Sequence, residues 1–187
     1  MSANTPLPPT AGQTVGPFFG YALPYEGGEE LVPPHHPDAV LLHGVVYDGA
    51  GQPIPDALVE IWQKDAMGAV PQAHGSLHRD GHSFTGFGRS ATDADGHYQF
   101  WTIVPGAGAG GGAPFLATIV FARGLLDKLH TRVYLPQHAE LNDADPFLAS
   151  LSEGERATLV ASRVGERELR HDFHLQGEHE TVFLAFD

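Results

Sequence analysis

The sequence predicts an all-β protein: a β-sandwich over residues 39–187, preceded by an N-terminal arm over residues 1–38 and carrying one short helix. Three observations lead there. Short runs rich in valine, leucine and aromatic residues recur from Ala39 onward, turn residues separate them, and only one stretch has a helix-start signature. At 187 residues and 42% hydrophobic composition the chain fills one core, and dividing it would leave two small ones, so a single domain is expected.

The arm is rich in proline and glycine, ends in VPPHHPD and includes QTVGPFFGYAL as a short ordered piece. Two strands, AVLLHGVVYD and DALVEIWQKD, flank the turn Gly49-Ala50-Gly51-Gln52-Pro53. FGRSATD and HYQFWTIV follow, joined through Asp95-Gly96, a strong hairpin signal. Further strands are expected at FLATIVFA, KLHTRVYL, ELRHDFHL and TVFLAF. The helix is expected near 153–161, where Ser152 and Glu155 form an S-x-x-E capping box ahead of ATLVA. No repeat of fixed period is visible.

Composition narrows the function classes. Ten basic against 23 acidic residues give a net charge of −13, the wrong sign for a nucleic-acid surface. No apolar run approaches the roughly 18 residues of a membrane span. The opening MSANTPLPPTAGQT lacks the basic and apolar regions of a secretory signal, so a cytoplasmic location is expected. Cysteine is absent, which removes disulfides and thiolate metal sites and leaves the 12 histidines as the place where a metal hypothesis starts.

The loop VPGAGAGGGAPF contains G-x-G-x-x-G at Gly106, Gly108 and Gly111. A dinucleotide loop has to leave a strand and enter a helix whose N–H groups hold the phosphate. Here a strand precedes the loop and a second strand, FLATIVF, follows it, so the loop is read as a connector.

His74, His78 and His82 recur every four residues, a ligand spacing on a helix. Gly75, Asp80 and Gly81 argue against a helix there, and these side chains are read as surface histidines. His171 and His174 fall on opposite faces of a strand, His35 and His36 lie among prolines in a loop, and these too are read as surface histidines. Asp93 and Asp95 in DADGHY resemble the opening of a calcium loop, but the twelfth position is Val104 rather than glutamate, so the hairpin turn is preferred. No G-x-S-x-G elbow or H-E-x-x-H helix offers hydrolase chemistry.

In KLHTRVYL, strand alternation puts Leu129, Thr131, Val133 and Leu135 on one face and His130, Arg132 and Tyr134 on the other. A guanidinium flanked by an imidazole and a phenol can hold a carboxylate bidentately. A solvated sheet face accounts for the same pattern.

The stretches LHGVVYDGAGQPIPDALVEIWQKDAMG and FTGFGRSATDADGHYQFWTIVPG resemble the intradiol ring-cleavage dioxygenases. The resemblance runs on through FLATIVFARG, LHTRVYLP and LQGEHETVFLAFD, covering the chain from about Gln13. QTVGPFF, LHTRVYLP and the tail are similar to the α-type chains of the two-chain members that cleave protocatechuate. What the resemblance implies is an intradiol-dioxygenase-like β-sandwich and Fe(III)-dependent opening of a catechol by O2.

Catalytic chains of that family hold the iron with two tyrosines and two histidines. Matched onto this sequence, those positions are Ser76, Ala107, Phe115 and Ala117, none a useful ligand for hard ferric iron. The resemblance therefore implies that this chain binds no iron, that Fe(III) is carried by a partner β chain, and that the two chains share an active site near their interface within a large hetero-oligomer. It implies further that Thr14, Gly16 and Pro17 line the substrate pocket and that Arg132 meets the carboxylate of a small aromatic acid, with His130 and Tyr134 in support. A reading of another class is a metal-free, stand-alone β-sandwich binding module descended from such an enzyme and needing no partner.

Overall fold

In the computed structural model, residues 16, 18–72, 77 and 79–186 are described. They form two sheets packed face to face. The first has the order β4 (His97–Thr102), β1 (Val40–Tyr47), β8 (Glu168–Arg170), β7 (Ser162–Arg163), with β9 (Phe173–His174) also pairing with β1. The second has the order β3 (Phe87–Ala91), β2 (Leu58–Trp62), β5 (Phe115–Phe121), β6 (Leu129–Tyr134). The all-β sandwich read from the sequence is the observed architecture.

The core follows from strand alternation. Leu42, Val46, Tyr98, Phe100, Leu169 and Phe173 of the first sheet meet Val59, Ile61, Leu116, Val120 and Val133 of the second. Leu31 of the arm joins this core, and the Trp101 carbonyl accepts from Leu31 N–H at 2.9 Å, which ties residues 29–32 along β4. The β3–β4 hairpin turns as expected: Asp93 Oδ1 accepts from the N–H groups of Asp95 and His97, both at 2.9 Å, and Gly96 takes φ of 75°. The turn after β1 repeats the device, with Asp48 Oδ1 accepting from Ala50 and Gln52 at 2.8 Å.

Four expectations need correction. The helix at the capping box, α4, covers Glu153–Ala157 and stops short of 161. Residues 159–161 instead pair with the end of β6: Tyr134 N–H donates to Leu159 C=O and Ala161 N–H to Tyr134 C=O. That helix is joined by α1 (Phe19–Ala22), α2 (Ala139–Ala144) and α3 (Pro146–Ala149), with a 3-10 turn at Pro136–His138. TVFLAF is not a strand; Thr131 Oγ1 donates to the Val182 carbonyl at 2.7 Å, taking an acceptor that a ladder would use. ELRHDFHL is broken after Arg170, because the Asp172 carboxylate replaces a backbone carbonyl as acceptor of Val45 N–H at 2.9 Å.

His171 sits at that break and is 4% exposed, so it is not a surface histidine. The backbone crosses close to β1 there: a Cβ on Gly44 would lie 1.7 Å from the His171 carbonyl oxygen, which only glycine permits. Burial holds the His171 imidazole down at a pKa of about 4.

Candidate functional site

The outward face of the second sheet is set by register. Phe87, Trp62, Ala117 and Arg132 lie in one row across the four strands, and Arg89, Glu60, Ile119 and His130 lie in the next. Side chains at matched register positions point the same way, so the two rows build a single surface. A groove of about 320 Å³ runs over it, walled by Trp62, Phe87, Phe115 and Ile119, floored by Ala117 and closed along one side by Leu184 and Phe186. Leu184 N–H donates to His130 C=O at 2.7 Å, and the Phe186 ring meets the His130 ring edge-on at 5.1 Å.

Arg132 provides the groove's net charge. Its guanidinium lies 4.3 Å from the Phe115 ring centroid and 5.0 Å from that of Phe147, and Nη1 donates to the Tyr134 hydroxyl at 3.2 Å. Among the described residues no carboxylate lies within ion-pair distance of it. Arg89 on the same face is neutralised by Glu60 at 2.6 Å. The His130 imidazole is held below its ordinary range by burial, then by the neighbouring Lys128 ammonium.

Of the residues that alternation placed with Arg132, His130 does line the groove, while Tyr134 does not open onto solvent. Its side chain is fully buried in a second cluster with Leu148 and Leu159, under α3 and the segment after α4. Burial raises the Tyr134 phenol, against the nearby Arg132 charge, which lowers it. Asp145, beside this phenol, caps α3 by accepting from Phe147 and Leu148 N–H at 2.9 and 3.0 Å.

Phe115 and Ala117, the positions matched to histidine ligands, stand in the groove beside Arg132. Ala107 does not; it belongs to the connector between β4 and β5, where Gly106 N–H donates to Asp65 C=O at 2.8 Å. No helix follows that loop, as its reading as a connector requires. Gly16, with φ of 74°, is described but is not among the residues lining the groove. Thr14, Pro17 and Ser76 lie outside the described residues, as do His74 and His78; His82 is exposed.

Alanine and phenylalanine side chains carry no donor for Fe(III), and the described residues contain no group of three or more His, Asp or Glu placed to hold a metal. The groove therefore does not fit iron. Trp62, Phe87 and Phe186 were not singled out in the sequence; Trp62 and Glu60 share one face of LVEIW by alternation, but only register brings Phe87 and Arg132 beside them.

A family model described as Dioxygenase matches residues 16–138. The chain is 38% identical over 196 residues to the protocatechuate 3,4-dioxygenase alpha chain of Burkholderia cepacia, spanning 96% of this chain and 98% of that one. It is 37% identical to the corresponding alpha chain of Pseudomonas putida at the same coverage. To the beta chain of the Burkholderia cepacia enzyme it is 30% identical over 74% of this chain and 67% of the other. Among solved structures, the dioxygenase domain of a dioxygenase and carbohydrate-binding protein fusion from Streptomyces sp. SirexAA-E superimposes with a TM-score of 0.61 at 27% identity, covering 91% of this chain and 99% of that one. Catechol 1,2-dioxygenase from Acinetobacter sp. ADP1 shares the fold, with a TM-score of 0.52 at 21% identity over 78% of this chain and 55% of that one. Sandwich fold and sequence agree: the chain belongs to the intradiol ring-cleavage dioxygenase family.

Proposed function

We propose that this chain is the iron-free α subunit of a protocatechuate 3,4-dioxygenase, active only within a complex with a β chain. The complex, a large cytoplasmic hetero-oligomer, converts protocatechuate and O2 to 3-carboxy-cis,cis-muconate. Both oxygen atoms enter the product as the carbon–carbon bond between the two hydroxyl-bearing carbons breaks. Fe(III) on the β chain supplies the activation of the catechol toward O2.

One observation carries this reading. The positions matched to iron ligands hold Phe115 and Ala117, while the arginine directly across the strand pair from Ala117 carries an unmatched positive charge. A chain built this way positions a substrate rather than transforming it. Arg132 holds the ring carboxylate, with His130 and Tyr134 in support, and the segment containing Thr14, Gly16 and Pro17 closes one wall of the shared pocket. A charge-assisted contact of this kind contributes about 1.5–3 kcal/mol.

The test is Arg132→Ala in the complex co-expressed with the β chain. The expected result is a KM for protocatechuate raised roughly tenfold or more with iron content unchanged. Wild-type KM and turnover would remove Arg132 from the pocket, and a chain that never co-purifies with an iron-bearing β chain would remove the subunit assignment itself.

A further inference from the structure

We infer that Tyr25, gripped by both Arg79 and Arg89, is the centre of a clamp that fixes the course of the chain into α1, and through it the pocket-wall segment at Gly16. The inference rests on the proposed function in one respect, that this segment lines a pocket shared with a β chain. It adds three positioning residues that touch no substrate.

The arm is attached to the sandwich in two ways. From Gly28 onward its backbone is bonded to both sheets: Gly28 C=O accepts from Arg89 N–H of β3 at 2.8 Å, and Glu29 C=O from Trp101 N–H of β4 at 2.9 Å. Upstream the pattern changes. Among the described residues, the backbone groups of residues 18–27 hydrogen-bond only within the arm or to side chains. Two arginines therefore decide where residues 23–27 lie. Arg89 Nη1 donates to the C=O of Leu23, the C-cap of α1, at 2.5 Å, and Arg79 Nε donates to the C=O of Gly27 at 3.1 Å. A cation at the last carbonyl groups of a helix is favourable.

Tyr25 stands midway along the chain between these two grips and is held by both arginines. The guanidinium carbons of Arg79 and Arg89 lie 5.3 and 5.5 Å from its ring centroid, and its hydroxyl accepts from Arg79 Nη2 at 2.7 Å. Two like charges beside one ring repel unless each is compensated. Here Glu60 neutralises Arg89, and Arg79 donates to the carbonyls of Gly27 and Phe87, the latter at 2.8 Å. The fit leaves no slack: a Cβ on Gly28 would lie 2.6 Å from the Arg89 carbonyl oxygen and 3.3 Å from Tyr25 Cζ.

The clamp acts at short range. With four residues, about 6 Å of helix, α1 is too short to hold its own orientation. Its Phe19 is 7% exposed and stacks on Phe121 at 6.1 Å, but Phe18 and Tyr21 are 76% and 87% exposed, so side-chain burial fixes one end only. The grip on Leu23 fixes the other, and Gly16 lies three residues before the helix starts. A pocket wall presented this way is ordered before substrate arrives, which lowers the cost of binding.

The test uses two variants that disturb the clamp by different means. Tyr25→Ala removes the ring that both arginines hold, whereas Gly28→Ala keeps all three side chains and pushes the arm away from β3. Tyr25→Phe, which loses only the hydroxyl, is the conservative comparison. In the complex co-expressed with the β chain, the first two should raise the KM for protocatechuate roughly three- to tenfold, with kcat within about twofold of wild type and iron content unchanged. Tyr25→Phe should restore the KM to within about twofold of wild type. On the full chain alone, chymotrypsin should cut at Phe18, Phe19 and Tyr21 about tenfold faster in the first two variants, with circular dichroism unchanged. Faster cleavage with a wild-type KM in both complexes overturns the positioning role, and unchanged cleavage overturns the clamp. Loss of the whole fold in both variants also overturns it, since the three residues would then serve the core. If Arg132→Ala raises the KM while Tyr25→Ala and Gly28→Ala do not, the shared pocket stands and this inference falls. A wild-type chain that never assembles with an iron-bearing β chain removes the subunit assignment and this role together, and that outcome is seen without any variant.

Discussion

Glu60 and Arg89 face each other across β2 and β3, with Glu60 Oε1 2.7 Å from Nε and 2.6 Å from Nη2 of the arginine. Both side chains are largely buried, at 12% and 13% exposure, and Arg89 Nη1 also donates to the Leu23 carbonyl at 2.5 Å. The pair thus neutralises the groove surface and fastens the chain just after α1 to it. Removing one partner strands a charge, so Arg89→Met should cost about 3–5 kcal/mol in chemical unfolding and Glu60→Met somewhat less, since Leu23 keeps its donor. The double variant with both positions methionine should recover much of the loss; equal losses for single and double variants would mean that the pair is not what stabilises this face.

His171 gives an acid sensitivity with a definite sign. Unfolded, its imidazole takes up a proton as pH falls through about 6.5, whereas the folded protein resists protonation until about 4. Stability is therefore complete above the unfolded pKa and is lost as pH falls across that window, by about 3 kcal/mol at its lower end. Urea unfolding of wild type and His171→Leu at pH 7 and pH 4.5 isolates this contribution from the carboxylates. The wild type should lose more stability between the two pH values than the variant, and parallel losses would exclude His171 as the cause.

The glycine loop divides into two halves with opposite expectations. A Cβ on Gly106 would lie 2.3 Å from the Ala66 carbonyl oxygen, and one on Gly68 would lie 2.0 Å from Gly108 N, with φ already at 80°. Backbone atoms cannot give way as a side chain can, so alanine at either position should cost about 2 kcal/mol or more, a Tm lower by roughly 4–8 °C. Gly110 meets nothing within 4 Å and does not have positive φ. Gly110→Ala should be neutral or stabilising by up to about 1 kcal/mol through the unfolded state.

Asp145 joins helix capping to the groove. Asp145→Ala removes the acceptor for Phe147 and Leu148 N–H and should cost about 1–2 kcal/mol, whereas Asp145→Asn, which keeps an acceptor, should cost only a fraction of that. Because α3 carries Phe147, which lies against Arg132, the alanine variant should also raise the KM for protocatechuate of the complex we propose. Thermal unfolding and steady-state kinetics of the co-expressed complex read the two effects separately.

What the sequence disclosed, and what it did not, follows the range of the forces involved. Period-two alternation in KLHTRVYL is local, and it put Thr131 and Val133 on the inward face and His130 and Arg132 on the outward one, failing at Tyr134, which the segment after α4 covers. The Ser152–Glu155 capping box is equally local, and it located α4, though not its end, because residues 159–161 are captured by β6. The short helices α2 and α3 are held by docking Leu141 and Leu148 against Tyr134 and Leu159 and by the Asp145 cap rather than by any long apolar period. His171 was separated from His174 by alternation but not recognised as buried, because its burial comes from the close crossing of the chain over Gly44 of β1. Arg132 was legible as one position on a strand, but its aromatic surroundings come from four strands and the chain's tail, which no single segment reveals.

The two sheets differ in when they can form. All four strands of the second lie between Leu58 and Tyr134, in antiparallel pairs of near or moderate separation. The first is different: β1 runs parallel to β8 and β9, and Val45 waits for Asp172, 127 residues later, to satisfy its N–H. During synthesis the groove-bearing sheet is thus assembled while its companion still lacks one flank, with the inward edge of β1 open until the last strands arrive. Such long-range parallel closure is slow and exposes unpaired edge in the interval. The sheet under the groove is built early, whereas the Leu184–Phe186 side of the groove and the strands that lock the fold are made last.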